Sequence, residues 1–176
     1  LMLNRWRTRR RLATARAACE QPVLARWLES METLAIGTLP ETAILSVDLE
    51  LTGLDPATAE IVSIGWTAIE NGRIRLGSNR HILVRSTQGV GHSATIHELR
   101  DQDVAEGVAE EEALAELFDR AAGHVLLFHH AGLDAPCLQR ACDAGWSNGC
   151  NNLGALMTTG EGGPKDLDQA AKLFDR

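Results

Sequence analysis

The sequence lacks the features that define several protein classes. It has no run of about 18 apolar residues, so it predicts no transmembrane helix and no membrane partner. Its four cysteines, at positions 19, 137, 142 and 150, are too few and too clustered for a disulfide scaffold. The basic N-terminus has no apolar segment of the kind found in secretory signals, so we expect a cytoplasmic protein.

Two further absences limit the chemistry. No glycine-rich phosphate loop follows a predicted strand, which argues against the P-loop and Rossmann classes. Tyrosine is absent altogether, and the six histidines occupy positions 81, 92, 97, 124, 129 and 130. The last 46 residues therefore contain neither a histidine nor a tyrosine.

Charge is distributed unevenly along the chain. The formal net charge is −7, but residues 1–16 contain six arginines and no acid, which leaves −13 on the remainder. So acidic a remainder is not expected to bind nucleic acid broadly and without specificity. For residues 1–40 we expect a basic, solvated helical extension, with a second helical pattern over residues 22–31; a grip on phosphate backbone or anionic lipid is the alternative.

The middle of the chain alternates strand and helix patterns. Strands are predicted at 43–49, 60–70 and 73–84, the last two joined by the hairpin signal Asn71-Gly72. A helix over 108–122 and a strand at 125–128 follow, and another helix is predicted to begin near Asp134, with Pro136 in its first turn. The helix between strands acts as a crossover, so we expect an α/β fold in which the last strand runs parallel to a neighbour.

Two carboxylates mark the end of the first predicted strand. Asp48 and Glu50 are two residues apart, so both side chains lie on one face. Paired carboxylates repel each other unless a cation joins them, and Mg²⁺ or Mn²⁺ prefers such hard oxygen donors. Two solvated acids at a strand end are the alternative.

Asp134 is a third candidate, because it follows a buried strand and lies near a helix start, where the helix dipole favours its charged form. A plain N-terminal helix acid is the alternative. His129 and His130 precede it, and they could orient Asp134 or a substrate.

Four segments together resemble a known family. Residues 47–56 (VDLELTGLDP) look like the first motif of the DEDD exonucleases, the group of the DNA polymerase III epsilon subunit and ribonuclease T. Residues 61–65 (IVSIG) resemble the family's second strand, and residues 96–104 resemble the segment beside the bound nucleotide. Residues 128–134 (FHHAGLD) resemble its second motif.

The resemblance implies an incomplete RNase H-like exonuclease domain at residues 41–138, with 3′–5′ activity on a single-stranded DNA or RNA end. It implies two Mg²⁺ or Mn²⁺ ions held by the catalytic acids Asp48, Glu50 and Asp134. It also implies a nucleotide site at Leu51, Thr52, Gly53, His97 and His130.

The chain departs from this family after Asp134. The family's third motif has a fourth acid preceded by a histidine that acts as general base, or by a tyrosine in a sister branch. Neither version is present here, so we expect impaired activity, since loss of a general base costs about 10²–10⁴-fold. The alternative is a non-catalytic module that binds nucleic acid or protein.

Residues 139–176 resemble something else, a single Sel-like repeat, which is a helical hairpin related to tetratricopeptide repeats. The matching segments are 142–145, 150–156, 160–166 and 170–174. One repeat buries too little surface to stand alone, so it would pack on the nuclease part or dock a protein partner. In that repeat class Cys142 and Cys150 would pair in exported proteins, but in the cytoplasm we expect both to be reduced. A third hypothesis is an envelope repeat protein, in which Cys142 and Cys150 would be paired.

Overall fold

A computed structural model describes residues 10, 12–17, 19, 21–34, 38–87 and 104–145. Its α-helices are α1 (Pro22–Thr33), α2 (Glu110–Ala121) and α3 (Ala131–Gly145), with a further helical stretch at residues 12–17. Its strands are β1 (Ile44–Leu51), β2 (Ile61–Glu70), β3 (Arg73–Leu83) and β4 (Val125–Phe128). The predicted substrate residue His97 and most of the predicted repeat lie outside the described residues.

The strands form one mixed sheet in the order β3-β2-β1-β4. β1 pairs antiparallel with β2, β2 pairs antiparallel with β3, and β4 pairs parallel with β1. The expected α/β fold with a parallel last strand is therefore confirmed. α2 provides the crossover, because a parallel neighbour cannot be reached by a tight turn.

The hairpin between β2 and β3 forms where the sequence predicts it. Asn71 and Gly72 have φ angles of 54° and 68°. Two central residues with positive φ define a type I′ turn, which matches the right-handed twist of paired strands. This local chemistry fixes Glu70 opposite Arg73.

The core lies between one face of the sheet and the helices. Alternate β1 residues, Leu45, Val47, Leu49 and Leu51, are buried in the same cluster as residues of all three helices. α1 packs on α2, where the Trp27 and Phe118 rings lie 5.3 Å apart and both side chains are fully buried. The crossover helix is thus held by a helix from the N-terminal region.

The expected solvated N-terminal tail is wrong for its described part. Leu12 and Ala15 are buried in the core cluster, and Arg16 donates to the Glu32 carboxylate of α1 at 2.8 Å. The apolar residues between the arginines cover the core, while the arginine side chain stays at the surface and pairs there. The high arginine content concealed this amphipathic pattern.

Helix α3 begins three residues before the predicted start. The carbonyl of His130 accepts the backbone N–H groups of Leu133 (2.8 Å) and Asp134 (2.9 Å), so the first turn closes ahead of Asp134. Pro136 consequently lies inside the helix and not in its first turn. α3 continues past residue 138, where the sequence predicts a domain boundary, and that boundary stays a prediction.

Within the described ranges, no helix is long and apolar enough to cross a membrane.

Truncation of Phe118 tests the contact between α1 and α2. We expect Phe118→Ala to lower the free energy of unfolding by about 3–5 kcal/mol, because it opens a cavity in a closely packed core. Urea denaturation measures the change. The control Leu76→Ala removes an exposed side chain and is expected to change stability by about 0.5 kcal/mol or less. Equal effects of the two variants would contradict this account of the core.

Candidate active site

Strand β1 separates the core from the candidate acids. Leu49 and Leu51 face the core, whereas Asp48 is exposed and Glu50 is partly exposed on the opposite face. The predicted shared face of the two carboxylates is therefore confirmed. A register irregularity between Glu50 and Leu51 ends the regular pairing with β2 immediately after the acids.

Asp134 reaches the same edge of the sheet from β4. β1 and β4 are parallel, and their pairing ends where Val47 is aligned with Phe128, the last residue of β4. Asp48 follows Val47 within β1, and the first turn of α3 follows β4, so both acids lie just beyond the segment in which the two strands are paired. The carboxyl ends of strands are the usual location of sites in open α/β sheets.

The environment of Asp134 is unusual for a helix acid. Its residue surface is only 4% exposed, and one carboxylate oxygen accepts the backbone N–H of His130 at 3.1 Å. Burial raises the pKa of Asp134 above its usual value, while the His130 N–H opposes the rise. The negative charge of Asp48 raises the same pKa further.

The predicted substrate residues are Leu51, the last residue of β1, and Thr52 and Gly53 in the turn that follows. Leu51 is buried, so its side chain belongs to the core and only its backbone borders the turn. Thr52 donates its N–H to the Glu60 carbonyl, and its hydroxyl accepts the Glu60 N–H, both at 2.9 Å. No described residue comes within 4 Å of the position that a Cβ on Gly53 would take, so the described part of the chain leaves this side of the turn open.

The side chain of Glu60 connects the same turn to the end of β3. Its carboxylate accepts the Ser86 hydroxyl at 2.6 Å, the Thr87 N–H at 2.8 Å and the Thr87 hydroxyl at 2.6 Å. The backbone of Glu60 is hydrogen-bonded to Thr52. Glu60 therefore connects the turn after β1 to the start of β2 and to the segment after β3. No local pattern in the sequence indicates this role of Glu60, because the contact with Ser86 joins positions that are 26 residues apart.

Arg140 connects helix α3, which carries Asp134, to the loop that follows β1. Its guanidinium donates to the carbonyls of Pro56, at 2.5 Å, and Ala59, and it does so from the helix that carries Asp134. Within that loop, the Asp55 carboxylate accepts the Ala57 N–H at 2.9 Å. No local pattern in the sequence distinguishes Arg140 from a surface arginine, so its role too is visible only in the structure.

His130 contributes through its backbone, which binds Asp134, while its side chain is exposed beside the candidate acids. The prediction that this side chain contacts a nucleotide stays a prediction. The same is true of the nucleotide contacts predicted for Thr52 and Gly53.

The donor set fits a hard divalent ion in part. Asp48 and Asp134 supply carboxylate oxygens, and their mutual repulsion is what a cation would reverse. Across the described segments, however, no group of three or more His, Cys, Asp or Glu side chains is arranged to hold a metal ion. The interacting pair is therefore Asp48 and Asp134, and the prediction that Glu50 completes the ligand set stays a prediction.

Comparison with known proteins identifies related families and folds. Residues 45–146, which are 102 of the 176 residues, match the family model RNase_T, described as exonuclease. A search of curated proteins found no match.

Solved structures of exonuclease I share the RNase H-like α/β fold. The E. coli enzyme in complex with a dA16 oligonucleotide has a TM-score of 0.51 and 12% identity, covering 57% of this chain and 23% of its own. Exonuclease I from Methylocaldum szegediense has a TM-score of 0.52 and 15% identity, covering 61% and 26%. A zinc-bound complex of the E. coli enzyme with single-stranded DNA gives 0.51 and 12%, covering 57% and 23%. This chain thus matches about a quarter of the length of those proteins.

Replacing Asp134 with Asn tests the buried charge. The pKa of Asp134 in the folded state is raised above its ordinary value of 3.8. The free energy of unfolding therefore falls as the pH rises from 3.8 through the raised pKa, and the loss is complete at pH values above that pKa. Without metal, we expect Asp134→Asn to raise the melting temperature at pH 7 and to have no such effect below pH 3.8. Asparagine can still accept the His130 N–H.

Thermal denaturation in EDTA across the pH range measures this effect, with Glu112→Gln, an exposed acid in the first turn of α2, as the control. Mn²⁺ is expected to stabilise the original protein more than Asp134→Asn. If Asp134→Asn is less stable than the original protein at pH 7, the charge of Asp134 does not destabilise the metal-free fold.

Proposed function

Because this chain belongs to the exonuclease family, we propose that it removes nucleotides from the 3′ end of single-stranded DNA or RNA by metal-dependent phosphodiester hydrolysis. The observation that carries the proposal is that Asp48 and Asp134 both lie just beyond the paired segment of β1 and β4, where the charge of Asp48 raises the pKa of Asp134. Family membership supports the reaction class, and the carboxylate pair supports its location on the chain.

The roles of the acids follow from their positions. Exposed Asp48 and partly exposed Glu50 hold divalent ions from the sheet side, and buried Asp134 holds them from the helix side. When bound, two such ions activate water and stabilise the leaving oxygen of a phosphodiester. Mg²⁺ and Mn²⁺ suit these oxygen donors, and the ion number and identity are part of the proposal.

The terminal nucleotide occupies the turn after β1. Gly53 leaves that turn open, and the bonds of Glu60 to Thr52, Ser86 and Thr87 keep it in place. Solved exonuclease I complexes contain dA16 or dT13 oligonucleotides, which supports a single-stranded substrate. A narrow end-binding site is also consistent with the acidity of residues 17–176, because it needs few phosphate contacts.

We expect residues 1–176 on their own to act slowly. Neither the histidine nor the tyrosine of the family's third motif follows Asp134 in these residues. Where no other group takes over the role of that residue, a missing general base costs about 10²–10⁴-fold.

Binding without hydrolysis is the second candidate function. It is favoured by the absence, among the described residues, of a group of three or more metal-binding side chains. In that case the fold would hold a single-stranded end without cleaving it, and the predicted repeat would dock a protein partner.

Degradation of a 3′-labelled single-stranded oligonucleotide with Mn²⁺ tests the proposal. We expect slow loss of label that EDTA stops, and that Asp48→Ala lowers to background because a metal ligand is removed. Asp119→Ala is the matched control, since it removes an equal charge from an exposed position on α2.

No Mn²⁺-dependent difference between the original protein and Asp48→Ala would contradict the hydrolytic function. Fluorescence anisotropy of the same oligonucleotide would then decide for the second candidate: saturable binding supports it, and no binding excludes it.

A further inference from the structure

A histidine on the outer strand faces the candidate acids across the sheet. The register places Asp48 opposite Gly65 and Gly65 opposite His81. Directly paired residues of antiparallel strands carry their side chains on the same face, so His81 lies on the face of Asp48. Two such pairings separate the Cα atoms of Asp48 and His81 by about 10 Å.

The position between them is open. A Cβ built on Gly65 would meet only two backbone oxygens, those of Asp48 and Arg80, each at 3.9 Å. No side chain of the described residues comes within 4 Å of that point. A glycine inside a strand weakens pairing and often marks the close approach of a ligand. Gly65 therefore leaves a notch between Asp48 and His81 (the Gly65 notch).

The next row on the same face contains a second indication. Ser63 is paired with Glu50, only 1% exposed, and its hydroxyl has no hydrogen-bond partner within the described part of the chain. Buried hydroxyl groups normally find a partner. An unpaired buried hydroxyl beside Glu50 is consistent with a ligand or water on this face.

His81 is free to act there. It is exposed, and its side chain forms no hydrogen bond or ion pair with another described residue. On the same strand Arg80 turns to the helix side and binds Glu116, at 2.6 Å. On the histidine's own face, Asn79 accepts the Thr67 hydroxyl at 2.5 Å.

Other described histidines are placed differently. His124 is buried and hydrogen-bonded through both ring nitrogens to Ala122 and Glu70. His129 and His130 follow the end of β4 beside Asp134, and so do not face Asp48 across the Gly65 notch.

We propose that His81 is a catalytic residue that accepts the proton of the attacking water, with the scissile phosphate seated over the Gly65 notch. The inference rests on the proposed function. Water oxygen bonds to phosphorus, its proton passes to the imidazole, and the bond from phosphorus to the 3′ oxygen breaks. That oxygen takes a proton from solvent, which gives a nucleoside 5′-monophosphate and a shortened strand.

Removal of the imidazole is the first test. We expect His81→Ala to slow Mn²⁺-dependent release of label by about 10²–10⁴-fold, the usual contribution of a general base. Added imidazole is expected to restore at least tenfold of that loss, which a merely structural role would not allow. Asn79→Ala, on the same strand and face, is the control and should stay within twofold of the original protein.

Filling the notch is the second test. Gly65→Val is expected to abolish cleavage while the melting temperature is kept or raised, because valine favours strands and its Cβ would meet nothing closer than 3.9 Å among the described residues. Full activity in folded Gly65→Val would overturn the notch as the phosphate site. If this variant fails to fold, Gly65→Ala provides the same comparison with a smaller side chain.

A readout independent of activity completes the design. Mn²⁺ held at Asp48 is expected to broaden the ring-proton NMR signals of His81, and Asp48→Ala should remove the effect. Absence of this broadening, or His81→Ala within threefold of the original protein, overturns the proposal.

Loss of activity in Asp48→Ala but not in His81→Ala leaves the proposed function standing and rejects this inference alone. Broadening in a chain that shows no cleavage at all rejects both the hydrolytic function and the catalytic role of His81.

Discussion

The parallel pairing of β4 with β1 is the interaction on which the rest of the structure depends. It aligns Val47 with Phe128, and thereby brings the residues that follow them, Asp48 and the first turn of α3, to one edge of the sheet. A parallel pair requires a crossover, here α2, and α2 is held by α1 through Trp27 and Phe118. The N-terminal helix thus supports the site from a distance, although it contributes no candidate acid.

The site holds two carboxylates that repel each other on segments that are fixed by hydrogen bonds. Burial and the neighbouring Asp48 both raise the pKa of Asp134, so the metal-free arrangement stores unfavourable energy that a cation would relieve. Arg140 joins the helix of Asp134 to the loop after β1, and Glu60 joins that loop to the end of β3. Such restraints keep like charges together where free side chains would move apart.

The two faces of β1 and β2 have different roles. One face is buried against the helices, and the other carries Asp48, Glu50, Gly65 and, on β3, His81. Because the side-chain period of a strand is two, a shift of one residue in register would exchange these faces. The type I′ turn at Asn71 and Gly72 helps to prevent that shift.

Local signals in the sequence determined the strands, the hairpin and the shared face of Asp48 and Glu50, since turn chemistry and alternation act over only a few residues. The motif segments also indicated the family before any geometry was known. Tertiary structure alone decided that Leu12 and α1 belong to the core, that Arg140 and Glu60 fix the loop, and that His81 faces Asp48. Each of these depends on contacts between residues far apart in the chain, which become neighbours only when the sheet and its crossover helix assemble.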